Sequence, residues 1–181
     1  LGSKLAPISN AATKVPGARK VMEAVAGIAP DRELPTFRSE SFEEWFASRG
    51  ESTVSPDEAV DTVALFPDTY TNYSYPAAGK AAVAVLEAAG VRVEVPDDLT
   101  PSGRAAFSTG FLDEARERAA TNVERLAPRV RDGQSVVFVE PSDAVMFQDE
   151  YRDLLDGDDV EAVSAAAYGV LEYLDAGRVD E

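Results

Sequence analysis

From residue 61 onward, short apolar runs alternate with amphipathic stretches, and this alternation restricts the chain to few folds. Thr62-Val63-Ala64-Leu65-Phe66 is an apolar run ending at Pro67, which suits a strand buried on both faces. Pro76 then opens a helix with Ala78, Ala82, Val85, Leu86 and Ala89 on one face, and Gly90 stops it. Val91-Arg92-Val93-Glu94-Val95 alternates as a half-buried strand does. A second helix carries Leu112, Ala115, Ala119, Val123 and Leu126 on one face; Pro128 is expected to break or kink it, and Asp132-Gly133 to turn the chain. Ser135-Val136-Val137-Phe138-Val139 reads as a third strand. Ser142 is the expected cap of a helix running to Leu155, and a last helix is expected over about Val160 to Leu174. Strand–helix alternation implies an α/β fold, a Rossmann-like parallel sheet with flanking helices and right-handed crossovers.

Residues 1–60 read differently. Pro7, Pro16, Pro30, Pro35 and Pro56 punctuate two short helical stretches, Ala18 to Gly27 and Phe42 to Arg49, and no strand pattern appears. We expect two parts: a helical linker or arm over 1–60 and an α/β domain over 61–181. Phe37, Phe42, Trp45 and Phe46 would anchor the arm on a neighbouring module or, the commoner use of aromatics at helical spacing, pack on the chain's own core. Leu1-Gly2-Ser3 opens without Met and reads as a segment of a longer polypeptide.

Composition then removes whole classes of chemistry. The 181 residues contain neither Cys nor His. Disulfides, iron–sulfur ligation, structural zinc, Ser-His-Asp and Cys-His catalysis are therefore impossible within the chain. Only hard, oxygen-ligated cations could be held. With 33 acidic and 17 basic residues the net charge is −16. Such a surface repels phosphate backbones and anionic lipid, so no nucleic-acid partner is expected. Acid enrichment with few Lys suits concentrated salt, and we read the chain as a halophile's cytoplasmic protein. No apolar run is long enough to span a bilayer.

In a parallel sheet, ligands sit at the carboxyl ends of the strands. The segments that follow the strands are Phe66-Pro67-Asp68-Thr69-Tyr70-Thr71-Asn72-Tyr73, then Pro101-Ser102-Gly103-Arg104, then Glu140-Pro141-Ser142-Asp143. No phosphate-binding glycine fingerprint follows any strand. Asp68, Glu140 and Asp143 lie on loops that should converge and could bridge Mg²⁺ or Ca²⁺, but capping helices or hydrating the surface is the more ordinary use of Asp68 and Asp143. Tyr70 and Tyr73 would line or fill the space between the loops. Arg104 is expected to form a salt bridge with one of those carboxylates, and Glu114 and Arg118 an ordinary helical pair.

Those three segments resemble the cysteine-rich (CCG) domain of heterodisulfide reductase and of the iron–sulfur parts of glycolate oxidase, glycerol-3-phosphate dehydrogenase and D-lactate dehydrogenase. That family carries Phe-x-Gly-Cys, Cys-Cys-Gly and Cys-Pro-x-Cys motifs at similar separations. The resemblance spans roughly Val63 to Leu155 and includes Phe107 to Arg116 and Gln148 to Tyr151. Where the family has cysteine, this chain has Thr69, Pro101, Ser102, Glu140 and Asp143. Hydroxyls, carboxylates and a proline ring do not replace soft thiolates, so the resemblance is to a cluster-free branch, with Asp68, Tyr70, Tyr73, Gly103, Arg104 and Ser142 lining the emptied site. The Pro-punctuated arm with Leu5-Ala6-Pro7-Ile8-Ser9-Asn10 resembles the linker of fused flavoproteins. The resemblance implies a non-catalytic C-terminal part of an FAD-linked oxidase acting on a 2-hydroxy acid such as D-lactate or glycolate. It would carry no cofactor itself, while FAD and [4Fe-4S] clusters belong to the parent. Its partners would be the parent's FAD-binding and ferredoxin-like modules, in the cytoplasm or at the inner face of the membrane through the parent enzyme. A binding module for a small ligand or hard cation is the alternative.

Overall fold

The computed structural model describes residues 38–176, together with Gly27 and Ala29. The stretches Ala18 to Gly27 and Leu5 to Asn10, and Phe37, lie outside the described residues apart from Gly27. The elements run α1 (Phe42–Arg49), β1 (Asp61–Phe66), α2 (Thr69–Tyr73), α3 (Pro76–Ala88), β2 (Val91–Glu94), α4 (Arg104–Ser108), α5 (Leu112–Arg131) and β3 (Ser135–Phe138), then α6 (Pro141–Val145), a π-helical turn (Met146–Glu150), α7 (Tyr151–Leu154), α8 (Asp158–Ala165), β4 (Ala167–Gly169) and α9 (Val170–Asp175).

The four strands are all parallel, in the order β2-β1-β3-β4. This is the expected α/β architecture, with one strand more than the apolar runs announced. The difference is β4. Ala167 to Gly169 lies where the Ala-rich sequence reads as a continuous helix, but α8 stops at Ala165 and the next residues pair with β3, Val136 with Ala167 and Phe138 with Gly169. The open edge of β3 offers those backbone groups a ladder, and that outweighs the weak helical preference of a three-residue stretch.

The pleat divides the core. Ala64, Phe66, Val136 and Phe138 face α5, the π turn, α7 and α8; Val63, Leu65, Val91, Val93 and Val137 face α1, α3 and α9. Within α3 the buried stripe is Gly79, Ala82, Val83 and Leu86, while Ala78 and Val85 are exposed, so the expected face is rotated. The cause is Gly79: a Cβ there would meet the Phe42 ring at 2.6 Å and Thr71 at 2.7 Å. A bare α-carbon lets α1 press into α3.

The helix Phe42–Arg49 forms as expected, with a capping box between Ser41 and Glu44. It packs on the chain's own core: Phe42 is fully buried beside Val63, Leu65 and Val83, with Trp45 and Phe46 around it. Arg49 pairs with Glu87 at 2.9 Å, Glu87 also receives Ser52 and Thr53, and Arg92 donates to the Val54 carbonyl. Pro128 does not end α5, which continues to Arg131. At that exposed position, the carbonyl deprived of its N–H partner belongs to Glu124, itself exposed and so open to solvent.

Candidate functional site at the carboxyl edge

Because all four strands are parallel, their carboxyl ends share one edge. Between β1 and β3 the chain leaves in opposite lateral directions, and a crevice opens there. It is a cavity of about 520 Å³ lined by Thr69, Tyr70, Pro101, Ser102, Gly103, Arg104, Ala105, Arg118, Glu140, Ser142 and Asp143. Thr69, Pro101, Ser102, Glu140 and Asp143, far apart along the chain, therefore lie around one space.

Each wall has a local reason. Pro67 ends β1, and Asp68 caps α2, its Oδ1 accepting from the N–H groups of Tyr70 and Thr71 at 2.9 Å each. The cap turns Asp68 inward, 2 % exposed and behind the cavity wall, and turns Thr69 and Tyr70 toward the opening. Burial raises the Asp68 pKa above the ordinary carboxylate value, against the pull of its bonds to Thr71 and Tyr70. On the second wall Gly103 has φ +88°, and its Cα faces Ala115 so closely that a Cβ would stand 3.3 Å from that carbonyl. This left-handed residue lets the Arg104 N–H point back at Ser102 Oγ, 3.2 Å away.

The third wall departs from expectation. Glu140, not Ser142, caps the helix after β3: its carboxylate accepts from the Ser142 N–H at 3.2 Å and the Ser142 hydroxyl at 2.8 Å. Pro141 occupies the first helical position, where its missing N–H costs nothing. Asp143 is neither a cap nor a surface group. It is 9 % exposed, and Ser102 Oγ donates to its Oδ1. Burial first, then Asp68 and Glu140, pushes its carboxyl up to about 6, while the Ser102 bond and Arg104 pull down.

Beneath the cavity runs a chain of buried polar groups. The Tyr151 hydroxyl donates to the Ser102 carbonyl at 2.9 Å and accepts from Asn122 Nδ2 at 3.0 Å; Asn122 Oδ1 accepts from the Thr100 N–H at 2.9 Å. Burial pushes the Tyr151 phenol up, so it stays a neutral donor. On the same side of the sheet Phe66, Phe138, Phe147 and Tyr151 pack together in the core, with successive ring centroids 5.1, 4.7 and 4.1 Å apart. Asn122 carried a signal in sequence, as a polar residue within the buried stripe of α5. Tyr151 is marked in sequence only by the resembling stretch Gln148 to Tyr151, and Arg118 only as the helical partner of Glu114.

Other expected placements differ. Arg104 pairs at 2.7 Å with Glu150, which the π turn brings forward, rather than with Asp68, Glu140 or Asp143. Tyr73 lies off the cavity wall; its carbonyl accepts from the Arg38 N–H, and burial, then Glu43 and Glu44, raises its phenol pKa. Glu114 and Arg118 form the expected i, i+4 pair.

Thiolate-free, this edge does not fit an iron–sulfur cluster. Its side-chain donors are hard oxygens only, and Pro101 offers no side-chain donor at all. Among the described residues no group of three acidic side chains is placed to hold a metal ion, which counts against the Mg²⁺ or Ca²⁺ bridge. No helix of the described residues is long and apolar enough to cross a membrane.

Among known proteins, the chain is 31 % identical over 161 residues to a component of the anaerobic glycerol-3-phosphate dehydrogenase of Escherichia coli K12, a match covering 87 % of this chain and 39 % of the relative. It is also similar to lactate-utilization proteins. Lactate utilization protein A of Shouchella clausii is 29 % identical over 117 residues, covering 62 % of this chain and 47 % of the relative. The protein of the same name from Geobacillus kaustophilus matches at 29 % over the same length. The chain thus spans less than half the length of these relatives. No family model matches, and no solved structure does.

Proposed function

We propose that this chain is a cluster-free CCG-type domain of a multi-component, FAD-linked dehydrogenase acting on a 2-hydroxy acid such as D-lactate or glycolate. In that role it is a non-catalytic scaffold. It would join the FAD-binding and ferredoxin-like modules of the same polypeptide, on the cytoplasmic side, and electrons would pass through [4Fe-4S] clusters held elsewhere in the parent. The observation that carries this reading is the gathering of Thr69, Pro101, Ser102, Glu140 and Asp143 around one cavity at the β1–β3 switch point. The similarity to a component of glycerol-3-phosphate dehydrogenase and to lactate utilization proteins supports it.

The test restores what the family has. A chain carrying Thr69→Cys, Pro101→Cys, Ser102→Cys, Glu140→Cys and Asp143→Cys is reconstituted anaerobically with ferrous iron and sulfide beside the unaltered chain. Tightly bound iron and acid-labile sulfide in the former and none in the latter are expected. A refolded quintuple variant that takes up no iron would show that this edge is not an emptied cluster site. In the parent, deleting residues 38–176 should weaken assembly but leave flavin reduction by D-lactate or glycolate intact.

A second reading is favoured by the cavity itself. About 520 Å³ of open space, walled by polar and charged side chains together with Tyr70 and Pro101, suits a small-ligand site.

A further inference from the structure

The cavity contains both signs of charge, but only one sign is uncommitted. Arg104 is held by Glu150 at 2.7 Å and Arg118 by Glu114 at 2.5 Å. Glu140 and Asp143 have no basic partner in any ion pair among the described residues. Asp143 is nine-tenths buried, lines the cavity, and accepts only the Ser102 hydroxyl, on Oδ1; its Oδ2 accepts nothing and faces the open space. Glu140 likewise uses only Oε1. Behind the wall Asp68 Oδ2 is buried without a hydrogen-bond partner, and its charge acts on Asp143. The cavity thus presents two carboxylates without an ion-pair partner, with Asp68 behind them, while both of its guanidinium groups are paired and Arg104 offsets part of the negative field at Asp143. At the rim the Tyr70 ring is 57 % exposed beside Pro101.

Carboxylate oxygens without a partner, beside an exposed aromatic face at the mouth, recognise organic cations. They repel carboxylates and phosphates. We propose that this cavity binds a small alkylammonium ion, its nitrogen at the free oxygens of Asp143 and Glu140 and its hydrocarbon against Tyr70 and Pro101. The proposal rests on the small-ligand reading and names its chemical class. It also separates the site from the anionic substrates that the parent enzyme would oxidise.

The Asp143 carboxyl, raised to about 6 by burial, Asp68 and Glu140 and opposed by Arg104, gives the interaction a pH signature. A cation binds the ionised form, so affinity should tighten about tenfold from pH 5 to pH 7.5.

The experiment is isothermal titration of the full chain with n-butylammonium chloride in 0.3 M NaCl, with sodium butyrate and sodium D-lactate as anionic probes. The expected result is one butylammonium site with that pH dependence and no heat from the anions. Asp143→Asn should weaken binding at least tenfold and flatten the pH profile, and Glu140→Gln should weaken it without flattening. Glu124→Gln, an exposed acid on α5, should change nothing. Equal loss in Glu124→Gln and Asp143→Asn, both folded by circular dichroism, would mean diffuse attraction to a polyanion and overturn the proposal. Binding of D-lactate or butyrate in place of the amine would overturn the charge class and leave the small-ligand reading standing. Silence from all three probes would overturn both.

Discussion

One face of the sheet is closed almost entirely with hydrocarbon, whereas the other has a line of buried polar groups running through it. On the first, Phe42, Val63, Leu65, Val83, Leu86, Val91, Val93 and Val137 pack together, and the Tyr173 hydroxyl reaches Asp61 at the sheet's amino end, 2.6 Å away. On the second, Asn122, Tyr151, Ser102 and Asp143 connect the middle of α5 to the cavity. Hydrocarbon burial needs only volume and fit, but every buried polar atom needs a partner, so the second face is the more constrained. Such a network orients the side chains above it. The face that costs more to build is the one that holds the candidate site.

The largest expected effect tests whether the first face carries stability alone. Phe42→Ala removes a fully buried ring that fills the gap left by Gly79, and should cost about 3–5 kcal/mol in urea denaturation. Butylammonium affinity of the remaining folded fraction should not change. A weakened site would show that the two faces are coupled through the sheet. Next, Asn122→Leu strips the Tyr151 hydroxyl of its donor and the Thr100 N–H of its acceptor, a loss of about 2–3 kcal/mol. Here the cavity should change too, because Tyr151 positions the Ser102 carbonyl.

The two faces also differed in how legible they were. The strands β1, β2 and β3 and the helix Phe42–Arg49 are plain in sequence, since apolar runs and aromatics at helical spacing are local signals. The strand β4 is not, because only the open edge of β3 makes Ala167 to Gly169 extended. Near the site, the segments Asp68–Tyr73, Pro101–Arg104 and Glu140–Asp143 could be named from strand ends and motif resemblance. What their side chains bond could not. Glu150 meets Arg104 only because the helix after β3 takes a π turn, and Asp143 turns inward only because Glu140 has already capped that helix. These outcomes depend on a single residue of helical phase, which periodicity does not resolve.

A smaller effect sharpens the polar side of the comparison. The folded pKa of Asp143, about 6, lies above its ordinary 3.8, so the native state binds the extra proton between those values. Stability contributed by that proton is full at low pH and is lost as pH rises through 6; Asp68, also raised, acts in the same sense. Glu87, lowered in spite of burial by Arg49, Ser52 and Thr53, has the opposite sign, and its contribution is lost only on acidification below the ordinary carboxylate range. Between pH 5 and 7.5 Asp143 alone should remove about 1 kcal/mol. In Asp143→Asn that slope should vanish in urea midpoints measured across the range. An unchanged slope would place the titrating group elsewhere.

The smallest effect bears on both faces alike. Net charge −16 is self-repulsive, and moving from 0.1 to 1 M KCl shortens the Debye length from about 10 to about 3 Å. The same salt weakens exposed pairs such as Arg116–Asp113 and Arg131–Asp159, which contribute little at any ionic strength. Relief of repulsion should therefore dominate and raise stability by less than about 1 kcal/mol. The repulsion is spread over the whole surface, so Phe42→Ala and the unaltered chain should gain equally. Asp143→Asn should gain less, because it removes one charge from the place where Asp68 and Glu140 already crowd it. A flat or falling midpoint in the unaltered chain would end the halophile argument, and an undiminished gain in Asp143→Asn would mean that the three carboxylates do not share one field.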